Sequence, residues 1–174
     1  MARDRWRTVA LGCALALVVS LVGLVVAVRH DSSSDSSDAS RALVLSRAAE
    51  GAETAARSAV VALTTYDYTT YGADYLRVER AGTPRFKKYY AQVSAPIRQF
   101  VIRLKAHAVG SVVASSATAK DADHVTVLMF VDQVLTNATN SERKLDQPRV
   151  TVRMVRTNGR WLVDTVDLSN LTNN

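Results

Sequence analysis

The chain has 174 residues, and its 22 lysine and arginine residues against 16 aspartate and glutamate residues give a net charge of +6. Its 1 cysteine excludes an internal disulfide, a zinc ribbon and a c-type haem site, and its 3 histidines make a histidine-based metal site unexpected. The length suits one domain of ordinary size. No basic cluster is interleaved with stacking aromatic residues, so no nucleic-acid partner is expected.

An uncharged apolar run occupies residues 8–28. At about 1.5 Å per residue a helix of this length crosses a hydrocarbon core of about 30 Å, and the run is longer than the apolar region of a cleaved signal peptide. Three arginines precede it and one follows, which places the N-terminus in the cytoplasm. The sequence therefore predicts a single-pass plasma-membrane protein with a cytoplasmic tail (1–7), a transmembrane signal anchor (8–28) and an extracytoplasmic domain (41–174).

The first part of the extracytoplasmic region has linker and helix signals. Residues 29–40 are rich in serine and aspartate and predict a polar linker, with Ser40 as the N-cap of the next helix. A helix over 41–63 is predicted because apolar residues, mostly alanine, recur at steps of three and four. A turn and a short helix over Ala73–Arg80 follow.

A longer helix is predicted after Thr83, which resembles an N-cap followed by proline at the first helical position. Its apolar stripe runs from Phe86 to Leu104. Pro96 lies within the stripe, so the helix should kink there or restart with Ser94 as a new N-cap.

Four strands are predicted where the helical period gives way to alternation. In the second strand the run Val125–Val131 is apolar on both sides, so both of its faces are expected to be covered. The predicted strands are His107–Ala119, His124–Thr136, Arg149–Thr157 and Arg160–Leu168.

The dipeptide Asn158-Gly159 joins the last two strands and is typical of a type I′ hairpin turn, which needs positive φ at both positions. The two-residue turn fixes the register, so that Arg153 faces Asp164 as a cross-strand ion pair. The bulkier apolar face, which includes Trp161 and places Thr165 inward, is predicted to face the helices. Helices followed by antiparallel strands indicate an α+β fold in which helices pack on a curved four-stranded sheet.

Several short strings occur together in a fixed order, and with the N-terminal anchor they resemble the actinobacterial Mce-associated membrane proteins over residues 5–168. The strings are Leu63–Tyr68, Phe130–Gln133, Thr136-Asn137, Arg149–Val152 and Gly159–Val163. The resemblance implies a cone-shaped, nuclear-transport-factor-2-like extracytoplasmic domain. It also implies an accessory or stabilising role, without enzymatic activity or cofactor, in Mce systems that import lipids or sterols.

The partners implied by this resemblance are Mce complex subunits or other membrane-anchored proteins, with a lipid as a candidate ligand. VirB8-like conjugation proteins share the order of anchor, helices and sheet. They provide the alternative, a structural subunit of a secretion assembly. A third interpretation is a small-ligand enzyme that uses the pocket of the cone.

All 6 tyrosines fall between residues 66 and 90. Tyrosine combines an apolar ring with a polar tip, so Tyr66, Tyr68, Tyr71 and Tyr89 are predicted to form a partner surface or a pocket. The alternative is that rings, above all those of Tyr66, Tyr75 and Tyr90, pack beneath the sheet. Lys87 and Lys88 belong to a basic helix face that suits an acidic partner or anionic lipid, the alternative being a solvated face.

Two carboxylates could serve as a pocket base, because burial raises a carboxyl pKa. Asp132 lies in an apolar strand, and Asp67 lies between two tyrosines. Alternatively, Asp132 hydrogen-bonds a turn and Asp67 caps the following helix. No paired acids and no acid–histidine pair occur at useful spacing, so the protein is not expected to be an enzyme.

Overall fold

The computed structural model describes residues 36–138 and 142–170. The predicted cytoplasmic tail and transmembrane anchor lie outside the described residues. Within those residues, no helix is both long enough and apolar enough to cross a membrane. The chain divides into two compact units, Met1–Leu43 and Val44–Asn174, and the fold that follows is that of the second unit.

Helix α1 covers residues 36–64, of which 36–43 belong to the first unit and 44–64 to the second. The alanine stripe predicted for this helix is buried, and Ala52 and Ala56 are fully inaccessible. Residues 36–40, predicted as linker, are helical. Ser40 is therefore not an N-cap: its hydroxyl donates to the Ser36 carbonyl over 2.7 Å, a bond that a serine inside a helix can make.

Helix α2 covers Tyr71–Arg80 and begins two residues before the predicted start. Helix α3 covers Pro84–Leu104, and its predicted cap is confirmed, because the Thr83 hydroxyl oxygen accepts from the Phe86 N–H over 3.2 Å. The predicted restart at Ser94 is wrong, since α3 continues through Pro96. Pro96 lies on the exposed side of the helix, where water can satisfy the carbonyl that lacks an N–H partner.

Among the described residues the sheet has six antiparallel strands rather than the predicted four. β2 and β3 have the predicted bounds, whereas β1 and β4 were not predicted, because two or three residues are too few to show alternation. The strand order is β1-β2-β3-β5-β6, and β4 pairs with the far end of β3. The strands are β1 (Tyr66–Asp67), β2 (His107–Ala119), β3 (His124–Thr136), β4 (Lys144–Asp146), β5 (Pro148–Thr157) and β6 (Arg160–Asn170).

The hydrophobic core lies between α1 and the inner face of the sheet, where Val127, Met129 and Val152 are fully buried. The other face of the sheet is open to solvent, and Phe130 is 43% exposed there. The expectation that Val125–Val131 is covered on both faces is therefore wrong. In the described part of the chain, helices cover one face of the sheet, as is common for antiparallel sheets.

The hairpin turn between β5 and β6 is confirmed, with φ of 50° at Asn158 and 76° at Gly159. Trp161 faces the helices as predicted and packs, partly buried, against the core. A Cβ added at Gly51 of α1 would lie 2.9 Å from the Trp161 Nε1 atom. The glycine therefore makes room for the indole ring.

The register of the hairpin shifts by one residue between Arg153 and Met154 of β5, because β6 has a bulge opposite them. Arg153 consequently faces Thr165, and the predicted pair with Asp164 is wrong. The bulge places Val166 opposite the buried Val152, at the position predicted for Thr165. Without the bulge, the polar Thr165 would take this inward position. With the bulge, the apolar Val166 takes it.

Candidate functional site

A cavity of about 260 Å³ lies among the end of α1, helices α2 and α3 and the inner face of the sheet. Ile97 and Leu168 form its rim, since they line it and are 48% and 53% exposed. Most of the lining is apolar or aromatic. The polar groups that contribute to it include two carboxylates, those of Asp74 and Asp146.

The last turn of α1 forms one wall of the cavity because several contacts hold it on the sheet. A Cβ at Gly110 of β2 would collide with the Thr64 side chain, so only glycine allows this approach. The Gly110 N–H donates to the Thr65 hydroxyl over 3.1 Å. On β3, the Gln133 side-chain amide donates to the Thr64 carbonyl over 2.8 Å.

Four tyrosines line the cavity: Tyr66, Tyr71, Tyr75 and Tyr90. The Tyr75 and Tyr90 rings stack with centroids 5.1 Å apart, and the Tyr71 hydroxyl donates to the Ser94 carbonyl over 3.3 Å. Burial raises the pKa values of Tyr66, Tyr71 and Tyr90. For Tyr71, the positive charge of Arg98 acts in the opposite direction and lowers the pKa, but burial is the larger effect. The three phenols are therefore uncharged at neutral pH.

The structure separates the predicted site residues into two groups. Tyr66 and Tyr71 line the cavity, and Tyr71 is only 8% exposed, so it is not available on an outer partner surface. Tyr68 and Tyr89 are 38% and 54% exposed. Lys88 is exposed and Lys87 partly so, both near the start of α3. This second group is surface, and nothing in the fold brings it into the cavity.

Asp67 is not among the residues that line the cavity; its carboxylate orders a turn and contacts His107, an acid–histidine pair that was not expected from the sequence. One carboxylate oxygen accepts from the Thr69 N–H over 2.7 Å and from the Thr69 hydroxyl over 2.5 Å, and the other lies 3.0 Å from the His107 Nδ1 atom. The hydrogen bonds from Thr69 lower the Asp67 pKa. A lowered pKa makes a carboxylate a weaker base. Thr70, not Asp67, is the N-cap residue of α2.

Asp132 lies outside the cavity. Its neighbour Gln133 lines the cavity, and successive side chains in a strand point to opposite faces. The Asp132 carboxylate accepts from the side-chain amide of Gln147, which connects β4 to β5, over 2.8 Å, and this agrees with the alternative that Asp132 hydrogen-bonds a turn.

The two carboxylates in the cavity were not among the predicted site residues. Asp74 is 7% exposed, and its Oδ2 accepts from the Asp67 N–H over 3.1 Å and from the Thr70 hydroxyl over 3.0 Å. Asp146 faces Gln133 across the β3–β4 pair. In the sequence, Asp74 has only the signature of an acidic residue in a first helical turn. The position of Asp146 depends on β4, which the sequence does not reveal.

Metal ligation has no candidate site in the described part of the chain, where no group of three or more His, Cys, Asp or Glu side chains comes together. The cavity, which is lined by both polar and aromatic side chains, is therefore the candidate functional site.

Neither the protein-family models nor the curated protein sequences gave a match to this sequence. Several solved structures are similar to this chain. An IcmL-like type IV secretion system protein from Legionella pneumophila has a TM-score of 0.61 and 13% identity over 70% of this chain and 92% of its own. VirB8 from Agrobacterium tumefaciens has a TM-score of 0.59 and 14% identity over 70% and 91%. CagV from Helicobacter pylori, a VirB8 homologue of a type IV secretion system, has a TM-score of 0.55 and 16% identity over 69% and 97%.

At such identities the likeness shows the fold alone. The chain has a nuclear-transport-factor-2-like α+β fold, in which helices cover a curled antiparallel sheet. The α+β class was predicted from the order of helices and strands, and the nuclear-transport-factor-2-like form from the resemblance to Mce-associated proteins; the strand number is corrected from four to six.

Proposed function

We propose that this chain is a membrane-anchored, non-enzymatic structural subunit of a multi-protein assembly in the cell envelope, similar in role to VirB8-type proteins. The observation that carries the proposal is the fold, which matches the three secretion-type structures over 91–97% of their own length. The apolar run over 8–28 supports an anchor that holds the α+β domain outside the cytoplasm.

The arrangement of the carboxylates supports a role without catalysis. The Asp67 carboxylate has a lowered pKa and is hydrogen-bonded within a turn. The Asp132 carboxylate is hydrogen-bonded to Gln147 on the outer face of the sheet. Within the cavity, Asp74 already accepts two hydrogen bonds at one oxygen. General acid–base catalysis needs a proton-transfer group that is free to reach its substrate, and these bonds work against that.

Exposed side chains of α3 are the surface that we assign to partner contacts. Tyr89 and Phe100 are both 54% exposed, and exposed aromatic side chains beside basic ones are typical of interfaces. Lys88 and Arg103 lie on the same helix and give the surface a positive charge that suits an acidic partner.

Site-specific photo-crosslinking in the native membrane tests this role. A photoreactive phenylalanine analogue replaces Tyr89 or Phe100 in the full-length chain, and adducts are identified by mass spectrometry. We expect adducts with other membrane-anchored subunits of one assembly. Tyr71, which is buried in the same domain, is the matched control and should give none. Monomeric, unlinked protein at both exposed positions would contradict the proposal.

The second candidate function is an accessory subunit of an Mce-type lipid or sterol importer. The ordered strings that resemble Mce-associated proteins favour it. The same crosslinks distinguish the candidates, because adducts would contain Mce subunits in one case and secretion subunits in the other.

Membrane topology is tested separately. A phosphatase that is active only outside the cytoplasm, fused after Asn174, should be active if residues 8–28 cross the membrane with the N-terminus inside. Activity of a cytoplasmic reporter at the same position would overturn this orientation.

A further inference from the structure

We infer that the cavity lined by Tyr71, Asp74 and Asp146 binds a small organic cation, with a primary alkylammonium group as the recognised chemistry. Its volume of about 260 Å³ is slightly below the ~300–1,000 Å³ of most small-molecule sites, so it suits a compact ligand and excludes a two-chain lipid. This inference does not depend on the structural role proposed above.

The charge of the lining is the first observation. Among the described residues that line the cavity, two are carboxylates and none is lysine, arginine or histidine. Arg77 approaches Asp74 at 3.3 Å, but its side chain is 59% exposed and balances that carboxylate from outside. Asp146 accepts from the Gln147 N–H over 3.1 Å at one oxygen and adds a second negative charge. Arg98 acts on Tyr71 electrostatically, but it is not among the residues that line the cavity. A lining whose own charges are negative favours a cation over a carboxylate or phosphate.

The use of hydrogen-bond donors is the second observation. The Tyr71 hydroxyl donates its proton to the Ser94 carbonyl, and the Gln133 amide donates to the Thr64 carbonyl. The oxygen atoms of these two side chains can therefore accept hydrogen bonds from a ligand. Together with the two carboxylates, they favour a ligand with N–H donors, and charge-assisted bonds of this kind are the strong ones.

The apolar part of the lining is the third observation. Leu63, Ile97 and Leu168 can cover a short hydrocarbon group, and aromatic rings attract cations within about 6 Å of their centroids. The cavity thus combines a hydrocarbon wall with an anionic one, which is the complement of an alkylammonium ion.

Three probes of nearly the same shape test the inference: cyclohexylmethylamine, which is protonated at pH 7, cyclohexylmethanol and cyclohexanecarboxylate. Binding to the full-length chain in nanodiscs of zwitterionic lipid is measured by isothermal titration calorimetry. We expect the amine to bind at least about tenfold more tightly than the alcohol, and the carboxylate to bind more weakly than the alcohol.

Charge-neutral variants locate the site. Asp146→Asn should lower the affinity for the amine about tenfold and leave that for the alcohol unchanged. Asp132→Asn is the matched control, because it removes the same charge from the opposite face of the sheet, and it should change neither affinity. Asp74→Asn should act like Asp146→Asn. Asp74 also accepts hydrogen bonds from the turn before α2. If Asp74→Asn fails to fold for that reason, the result with Asp146→Asn alone decides the test.

The inference is overturned if the carboxylate binds as tightly as the amine, or if the amine affinity of Asp146→Asn equals that of the unaltered protein. It is also overturned if none of the three probes binds below about 10 mM, since a cation site would still hold the amine in that range.

Discussion

The hydroxyl of Thr83 joins the start of α3 to the bulge in β6: it donates to the Asp164 carboxylate over 3.0 Å and accepts from the Phe86 N–H over 3.2 Å. The backbone supports the same contact, because the Thr83 N–H donates to the Val163 carbonyl over 2.8 Å. Asp164 can reach Thr83 because the bulge releases it from pairing with β5. The helix cap and the strand irregularity are therefore one structural feature.

Thr83→Ala should lower the free energy of unfolding by about 1–2 kcal/mol, since it removes an N-cap as well as the partner of Asp164. Thr83→Ser keeps the hydroxyl and should lose far less. Thermal unfolding of the full-length chain in detergent, followed by circular dichroism, measures both. Equal melting temperatures for the alanine and serine variants would contradict the capping role.

Gly159→Val should destabilise the hairpin by at least about 1–2 kcal/mol, because a β-branched residue resists the positive φ found there. Gly72→Ala is the matched control, since a Cβ at Gly72 meets nothing within 4 Å and Gly72 lies inside α2. There alanine should be neutral or stabilising. The melting temperatures of the two variants provide the comparison, and an unchanged value for Gly159→Val would rule out the strain argument.

Gly51 and Trp161 should be energetically coupled. Trp161→Ala should cost about 2–3 kcal/mol, less than the ~3–5 kcal/mol of a fully buried ring, because Trp161 is only partly buried. Gly51→Ala should destabilise the unaltered protein, in which its Cβ would lie 2.9 Å from the indole nitrogen. In the Trp161→Ala background the same change should be harmless. A double-mutant cycle measures the coupling, and additive effects would show that the two residues do not share a contact.

Thr69→Val should raise the pKa of Asp67 toward its ordinary value, because the Thr69 hydroxyl is the largest cause of the lowered pKa. NMR titration of the Asp67 carboxyl carbon measures this shift. Thr54→Val, a change in the distant helix α1, should leave the Asp67 titration as it is.

The lowered pKa also predicts the sign of a pH effect. A folded-state pKa below the unfolded value means that Asp67 stabilises the fold above the unfolded pKa, and that this contribution is lost as the pH falls through the folded pKa. The melting-temperature difference between the unaltered protein and Thr69→Val should therefore shrink in acid. A difference that grows as the pH falls would reverse the assignment.

The sequence by itself determined those features that depend on neighbours along the chain. The strands β2 and β3, the Thr83-Pro84 helix start and the Asn158-Gly159 turn all depend on local sequence, and each appears where it was predicted. Helices followed by antiparallel strands also identified the α+β class, because each amphipathic element must bury one face.

Only the tertiary structure decided the register beyond the bulge and the contents of the cavity. The bulge lets the partly buried Val166 pack opposite Val152 while Asp164 binds the start of α3, and no local pattern encodes that combination. Asp146 enters the cavity through the short strand β4, whose pairing with β3 depends on the sheet already formed. Side chains far apart in the chain meet there because packing, not sequence proximity, brings them together.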